Sequence, residues 1–170
     1  MIAKLQQPDI DVRLATERDA ATIHSLIVEL GKATGLRQKV TSKPEHFLRH
    51  GSGDRPAFQA FLAECDGKAL GLCLFFYSFS SWRGELGVYV QDLFVSDDAR
   101  GSGLGRRLIT ETARLAKGRG ATYLRLSVAR ENLAAQKFYR SIGMSEAEDE
   151  CVYQAAGAAF ERLTRTAGAA

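Results

Sequence analysis

The sequence predicts a mixed α/β layered fold, with a mainly antiparallel central sheet flanked by helices, and three observations support it. The chain has 170 residues, inside the roughly 100 to 200 that one hydrophobic core serves, so a single domain over 1–170 is expected. Apolar residues at helical spacing alternate along the chain with runs rich in β-branched and aromatic residues, the pattern of a layered α/β protein. Two of those runs are joined across Asp66 and Gly67, a pair able to supply the positive φ angles of a tight antiparallel hairpin. With 45% hydrophobic residues, 25% charged residues and only 3 Pro, the composition excludes disordered, collagen-like and coiled-coil chains.

Residues 11–16 read as a short strand. Ile23, Leu26, Ile27 and Leu30 then fall at helical spacing, in a helix that ends near Gly31. Ser42 and Glu45 form an S-x-x-E capping box with Pro44 in the first turn, so a second helix is expected to start at Ser42 and stop at Gly51. Residues 58–64 and 70–80 are the two hairpin strands, and after a loop over 81–84 a third strand of the sheet covers 87–95. Leu104, Leu108, Ala113, Leu115 and Ala116 support a helix running to about Lys117. Residues 123–128 alternate as a strand, and 133–142 form a helix closed by Gly143 in the left-handed position. One or two final strands over 144–155 and a last helical turn over 160–163 complete a core of about 11–163. The small-residue tail 164–170 is expected to fray.

The longest apolar stretch, 69–77, is far below the roughly 20 residues a bilayer span needs. The opening residues Met1, Ile2, Ala3, Lys4, Gln6 and Gln7 lack the continuous apolar core of a secretory signal. A cytoplasmic location without membrane attachment is therefore the expectation. Three cysteines, Cys65, Cys73 and Cys151, make an odd set without a CxxC pair and read as reduced packing residues. His46 and His50 sit one helical turn apart, as metal ligands can, but no Glu or Cys completes a set, so no metal is expected.

Net charge is +3, unevenly spread: residues 100–130 hold eight basic residues against one acid, Glu111, while acids gather at Glu146, Glu148, Asp149 and Glu150. A basic block of this kind suits an anionic ligand, a nucleic acid or a solvated helix face. Its charges alternate with the apolar positions of one helix and lack interleaved aromatics, so nucleic acid is not expected as a partner.

The segment that carries chemistry is Arg100, Gly101, Ser102, Gly103, Leu104, Gly105, between the strand ending at Val95 and the helix that follows. Its glycines let backbone N–H groups approach a ligand closely, and the helix N-terminus adds free N–H groups and a positive dipole end. This is the chemistry of a pyrophosphate cradle. There is no G-x-x-x-x-G-K-[ST] run, and the glycines read GxGxG instead of GxGxxG, which removes the main support for a kinase or nicotinamide enzyme.

The run from Arg100 to Gly105 matches the R/Q-x-x-G-x-G/A motif of the GNAT superfamily of N-acetyltransferases, and the helix, strand, helix order around it is also that family's. The likeness covers about 12–163. The chain most resembles the diamine and polyamine (spermidine/spermine, thialysine) acetyltransferase branch, on the loop 77–84, on the strand Tyr89, Val90, Gln91, Asp92, Leu93, Phe94, Val95, and on Asn132, Phe138, Tyr139 and Gly143 in an N-x(5)-F-Y-x(3)-G pattern. The resemblance implies a GNAT-type sheet and acetyl-CoA as cosubstrate. It assigns the backbone of Leu93, Phe94 and Val95 to the pantetheine arm. It assigns Arg100, Gly101, Ser102, Gly103, Leu104, Gly105 and Arg106 to the pyrophosphate, and Asn132 with Leu133, Ala134 and Ala135 to further cofactor contacts. Tyr139 is implied as general acid, a phenol of pKa about 10 that protonates the departing sulfur. Gln91, Asp92, Trp82, Arg125, Leu126 and Ser127 are implied on the acceptor side, and a homodimer as the assembly.

The chain departs from the branch at two places. Gln91 stands where the branch commonly has a glutamate base, and an amide cannot take the proton from an alkyl ammonium. Gln91 is then expected to bind or orient the acceptor, and either Asp92, Glu29 or Glu85 receives the proton through water or the acceptor is a less basic amine. Ala33 and Thr34 occupy the region where polyamine members carry an acid for the distal ammonium. Arg125 suits an acceptor with a carboxylate. The expected function is transfer of an acetyl group from acetyl-CoA directly to a primary amine of a small molecule, whether diamine, polyamine or amino-acid-like. The alternatives are an acyl-CoA-binding or sensing module with little turnover and a protein or peptide lysine acetyltransferase.

Overall fold

The computed structural model describes residues 9–147 and 151–165. The chain divides into two compact units, Met1–Ala129 and Arg130–Ala170. The first is built on a five-stranded sheet of β1 (Asp11–Leu14), β2 (Gln59–Cys65), β3 (Lys68–Ser80), β4 (Glu85–Val95) and β5 (Ala121–Leu126), in the spatial order β1-β2-β3-β4-β5. The first four strands pair antiparallel and β5 lies parallel to β4. Its helices are α1 (Ala20–Ala33), α2 (Pro44–Gly51) and α3 (Leu104–Gly118). A parallel neighbour needs a crossover, and α3 supplies it between β4 and β5. The mixed, mainly antiparallel sheet flanked by helices is thus the architecture the sequence predicts.

Alternation along the strands gives the sheet two apolar faces. On one, Ile23 and Leu26 of α1 pack against Ala60, Leu62, Leu72, Leu74 and Phe94. On the other, α3 lies close because Gly71 has no side chain: a Cβ there would come within 3.0 Å of Leu108 Cδ1. Leu62, Leu72 and Leu108 are fully buried, each contributing about 1.5–3 kcal/mol of transfer free energy. Thr112, in the same interface, donates its hydroxyl to the Leu108 carbonyl at 3.0 Å, which satisfies a polar group under the helix. Arg13 forks between Asp19 (2.7 Å) and Glu64 (2.9 Å), tying β1 to the turn before α1 and to β2. The guanidinium holds the Asp19 carboxyl well below the usual carboxylate range. The stability this ion pair contributes is present above that ordinary range and is lost as acid protonates Asp19.

The expected hairpin is present, with Asp66 at φ 49° and Gly67 at φ 75°. Helix α2 begins one residue later than the capping box predicts. Pro44 takes the first helical position, where its missing N–H costs nothing, and the cap passes to Lys43, whose N–H donates to His46 Nδ1 at 3.1 Å. The Ser42 carbonyl is engaged elsewhere, 2.9 Å from His24 Nε2.

The second unit holds α4 (Leu133–Ser141) and α5 (Ala158–Arg165). Asn132 caps α4, its Oδ1 accepting from the Ala135 N–H at 3.1 Å, and Gly143 closes it at φ 91°. The final strands predicted over 144–155 are absent among the described residues of that stretch. Val152 and Tyr153 are β-prone but 84% and 94% exposed, and a strand without a neighbour to bond has no ladder to hold it. The last helix is longer than the single turn expected, and Thr164 and Arg165 belong to it rather than to a frayed tail, of which 166–170 lie outside the described residues. Of the cysteines, Cys73 is buried as expected and Cys65 is half-buried, whereas Cys151 is exposed and packs against no core.

Candidate functional site

The chemistry gathers where β4 leaves β5. In the β3–β4 register Phe75 faces Val90 and Leu74 faces Asp92, so Gln91 is one residue too many for its partner strand and forms a β-bulge. A bulge shifts the phase of alternation by one. Tyr89 pairs with Phe76 and Asp92 with Leu74, which puts Tyr89 and Asp92 on the same face of the sheet. Without the bulge they would point to opposite faces.

The same place opens the sheet. Strand β5 pairs with β4 only from Leu86 opposite Ala121 to Val90 opposite Leu126. Beyond Val90, no strand of the described residues covers that edge of β4. The backbone groups there, Leu93, Phe94 and Val95 among them, form a free edge to which an amide-bearing chain can add as a strand does.

At the end of β4 the chain makes a short 3-10 turn over Asp97–Ala99 and enters the glycine segment. Gly101 and Gly103 have φ angles of 78° and 83°, the left-handed region that favours glycine, and a Cβ on either would meet nothing within 4 Å. The space above the turn is open, and the protein's own packing does not ask for glycine there. The left-handed backbone itself favours glycine, and the open space leaves room for a ligand to approach the turn closely. Leu104 and Gly105 begin α3, where N–H groups have no carbonyl four residues back to receive them. Ser102 Oγ donates to the Ala99 carbonyl at 2.7 Å, which braces the turn, and Arg100 bonds Asp97 at 2.8 Å. This donor set fits a pyrophosphate.

The three carboxylates considered for proton transfer separate clearly. Glu29 is ion-paired to Lys32 at 2.7 Å on the surface of α1, and Glu85 accepts from the Thr122 hydroxyl at 2.9 Å. Asp92 is half-buried, and among the described residues nothing donates a hydrogen bond to it. Burial pushes its carboxyl up to about 6. Gln91, next to it, is exposed on the bulge. Of the other acceptor-side residues, Arg125 and Leu126 end β5, and Ser127 just beyond receives a 2.7 Å hydrogen bond from the Tyr89 hydroxyl. Trp82 stands 99% exposed at the tip of the β3–β4 hairpin, so plain packing does not explain it. Ala33 ends α1 and Thr34 caps it, the Thr34 hydroxyl donating to the Leu30 carbonyl at 2.9 Å.

Asn132, Leu133, Ala134, Ala135 and Tyr139 lie in the second unit. Tyr139 is half-buried on α4, its ring edge-on to Phe138 with centroids 5.2 Å apart, and its carbonyl accepts from the Ile142 and Met144 N–H groups, both at 3.1 Å. Of the acidic cluster, Glu146 lies 3.6 Å from Arg140, while Glu148, Asp149 and Glu150 lie outside the described residues. Among the described residues no group of His, Cys, Asp and Glu gathers as a metal site, and no helix is long and apolar enough to cross a membrane. Tyr89, named in the sequence only as part of the branch-like strand, and Phe76, not singled out there, stack their rings with centroids 5.1 Å apart. In a strand-like run they look like any sheet aromatics.

Residues 23–144 match the model of the acetyltransferase (GNAT) family. The chain is 31% identical to a thialysine N-epsilon-acetyltransferase of Bos taurus over 163 residues, covering 89% of this chain and 95% of the relative. Among solved structures it is similar to an integron cassette protein from the mobile metagenome of V. cholerae, with a TM-score of 0.80 at 22% identity, covering 94% of this chain and 100% of the other. It is also similar to an aminoglycoside N-acetyltransferase solved in complex with CoA, with a TM-score of 0.68 at 20% identity over 89% of this chain and 97% of the other.

Proposed function

The chain belongs to the acetyltransferase (GNAT) family, an acetyl-CoA-dependent N-acetyltransferase by that membership, and we propose that its acceptor is the primary amine of a small cationic molecule. The observation that carries this reading is Asp92, a half-buried carboxylate pushed up to about 6, beside the bulge and the open edge of β4. Leu93, Phe94 and Val95 hold the pantetheine arm by backbone hydrogen bonds. The turn from Arg100 to Arg106 holds the pyrophosphate, and the capped start of α4, Asn132 to Ala135, adds further cofactor contacts.

Acetyl-CoA supplies an acyl group activated as a thioester. Asp92, directly or through one water, takes a proton from the acceptor's ammonium and so exposes the lone pair that forms the C–N bond. Gln91 orients the acceptor through its exposed amide. Tyr139 gives its phenolic proton to the sulfur as the C–S bond breaks, and the second proton lost by the attacking nitrogen restores the phenol. The thialysine relative supports an amine on a short flexible chain as acceptor, and the resemblance to the diamine branch supports a homodimer.

The test is acetyl-CoA turnover, read as thiol release and confirmed by product mass, against diamines, polyamines, amino acids, thialysine and lysine peptides. Transfer that depends on the acceptor is expected with the small amines and not with the peptides. Gln91, an amide at the branch's glutamate position, favours one competing reading, a module that binds acyl-CoA without turnover. Tight acetyl-CoA binding with no transfer to any amine would favour that module.

The cradle has its own test. Gly101→Ala combined with Gly103→Ala forces two left-handed residues to carry a Cβ, at about 1–2 kcal/mol each. The loop then turns its donors away, and KM for acetyl-CoA is expected to rise about 30-fold, with a lower melting temperature as well, because the backbone strain is felt even though no neighbour meets the new methyls. An unchanged affinity for CoA in a calorimetric titration would move the pyrophosphate elsewhere.

A further inference from the structure

On the reading just given, which it deepens, we infer that Tyr89, stacked on Phe76 and sharing a sheet face with Asp92, is a specificity-determining residue that recognises a second, non-reacting ammonium on the acceptor. The helix-covered part of this face ends with Leu72, Leu74 and Phe94 under α1. One step further along β3 comes Phe76, and opposite it Tyr89, both half-buried, with ring planes 24° apart and centroids at 5.1 Å. The Tyr89 hydroxyl donates to Ser127 Oγ at 2.7 Å, which fixes the ring's orientation.

The chemistry of this platform suits a cation. An aromatic face carries negative electrostatic potential, and the carboxylate of Asp92 adds to it on the same side of the sheet. The next aromatic on that face, Tyr123, already holds a cation: the Arg83 guanidinium lies 5.8 Å from its ring centroid. Tyr123 can lie against the strand because Gly87 sits opposite it, where a Cβ would come within 2.1 Å of the ring. Arg125 stands opposite Tyr89 in the register, exposed to solvent. A cation on Tyr89 has this charge as a like-signed neighbour, and the carboxylate of Asp92 on the same face offsets it.

Spacing adds a length. Leu74 and Phe76, the register partners of Asp92 and Tyr89, are two residues apart along β3, about 7 Å. An extended chain bridges that distance with roughly five or six bonds, so the two nitrogens of the acceptor are separated by about four or five atoms. The region of the sequence where polyamine enzymes of the branch place an acid for the distal charge holds Ala33 and Thr34 instead. The aromatic pair takes over that task.

The experiment compares 1,5-diaminopentane with 5-aminopentan-1-ol, equal in length and differing only in the distal charge, on the wild type, Tyr89→Leu and Tyr89→Phe. The wild type is expected to favour the diamine in kcat/KM by about tenfold. Tyr89→Leu is expected to abolish that preference through KM of the diamine while KM for acetyl-CoA holds, and Tyr89→Phe to restore most of it. Phe76→Leu offers a second disruption should Tyr89→Leu fail to fold. A wild type that transfers acetyl to both amines equally, or a preference that survives in Tyr89→Leu, would overturn the inference and leave the enzyme reading intact. No transfer to either amine, nor to any other of the acceptor panel, would remove the enzyme reading and this inference with it.

Discussion

Replacing Asp92 with Asn is expected to lower kcat/KM for a basic amine by about 10³ at pH 7, near the middle of the range for losing a positioned general base. The wild-type profile of kcat/KM against pH should rise through about pH 6, where the buried carboxyl ionises. Asp92→Asn should lose that limb, because an amide does not titrate. The stability effect has the opposite sign. The folded pKa of Asp92 lies above its ordinary value of 3.8, so the folded protein binds this proton more tightly than the unfolded chain does. The stability gained from protonation is fully present below the ordinary value and is lost as pH rises through about 6. At pH 7.5 the wild type therefore carries a desolvated charge, and Asp92→Asn is expected to melt higher, by at most about 3 kcal/mol. The gap should close toward pH 4. An inactive variant that is also more stable would identify a residue kept for chemistry at a cost in folding. A variant with full activity and an intact acid limb would transfer the role of base to another group.

Tyr139→Phe is expected to lower kcat by about 10² and to leave KM for acetyl-CoA within about twofold. The substitution removes one oxygen and keeps the ring that meets Phe138 edge-on, so packing on α4 is preserved. Neither backbone bond closing the helix, from Ile142 and Met144 to the Tyr139 carbonyl, involves the side chain. The loss then falls on proton transfer to the sulfur. Rapid-quench measurement of the first turnover separates this step from product release. If the first turnover is as fast in Tyr139→Phe as in the wild type, the thiol leaves unprotonated or another donor serves it.

The glycine turn after β4 was legible in the sequence because its conformation is local. Alternate glycines after a strand and before a helix define where backbone N–H groups face outward, and Gly101 and Gly103 take up the left-handed angles this requires. Asn132 entered the sequence reading only through the family pattern, and its role as the cap of α4 comes from the structure. The start of α2 was not legible. Ser42 and Glu45 compete with Pro44 for the register of the first turn, and the contact of the Ser42 carbonyl with His24 comes from a different helix. The strands expected over 144–155 failed because β-propensity describes a fit to neighbours, and Val152 and Tyr153 are given none among the described residues.

The family and the glycine turn after β4 were determined by the sequence alone, through motifs whose spacing is read along a single segment. The layered sheet with its flanking helices was determined there too, through the periodicity of apolar residues. Only the tertiary structure decided which carboxylate is set apart from water, and which side chains share a face. Gln91 bulges because β3 and β4 hold their hydrogen-bond registers on either side of it, and that pairing joins residues far apart in sequence. The bulge brings Tyr89 to the side of Asp92, and the packing around that side keeps Asp92 partly dry. Burial and phase are properties of strands in contact, and no single strand contains them.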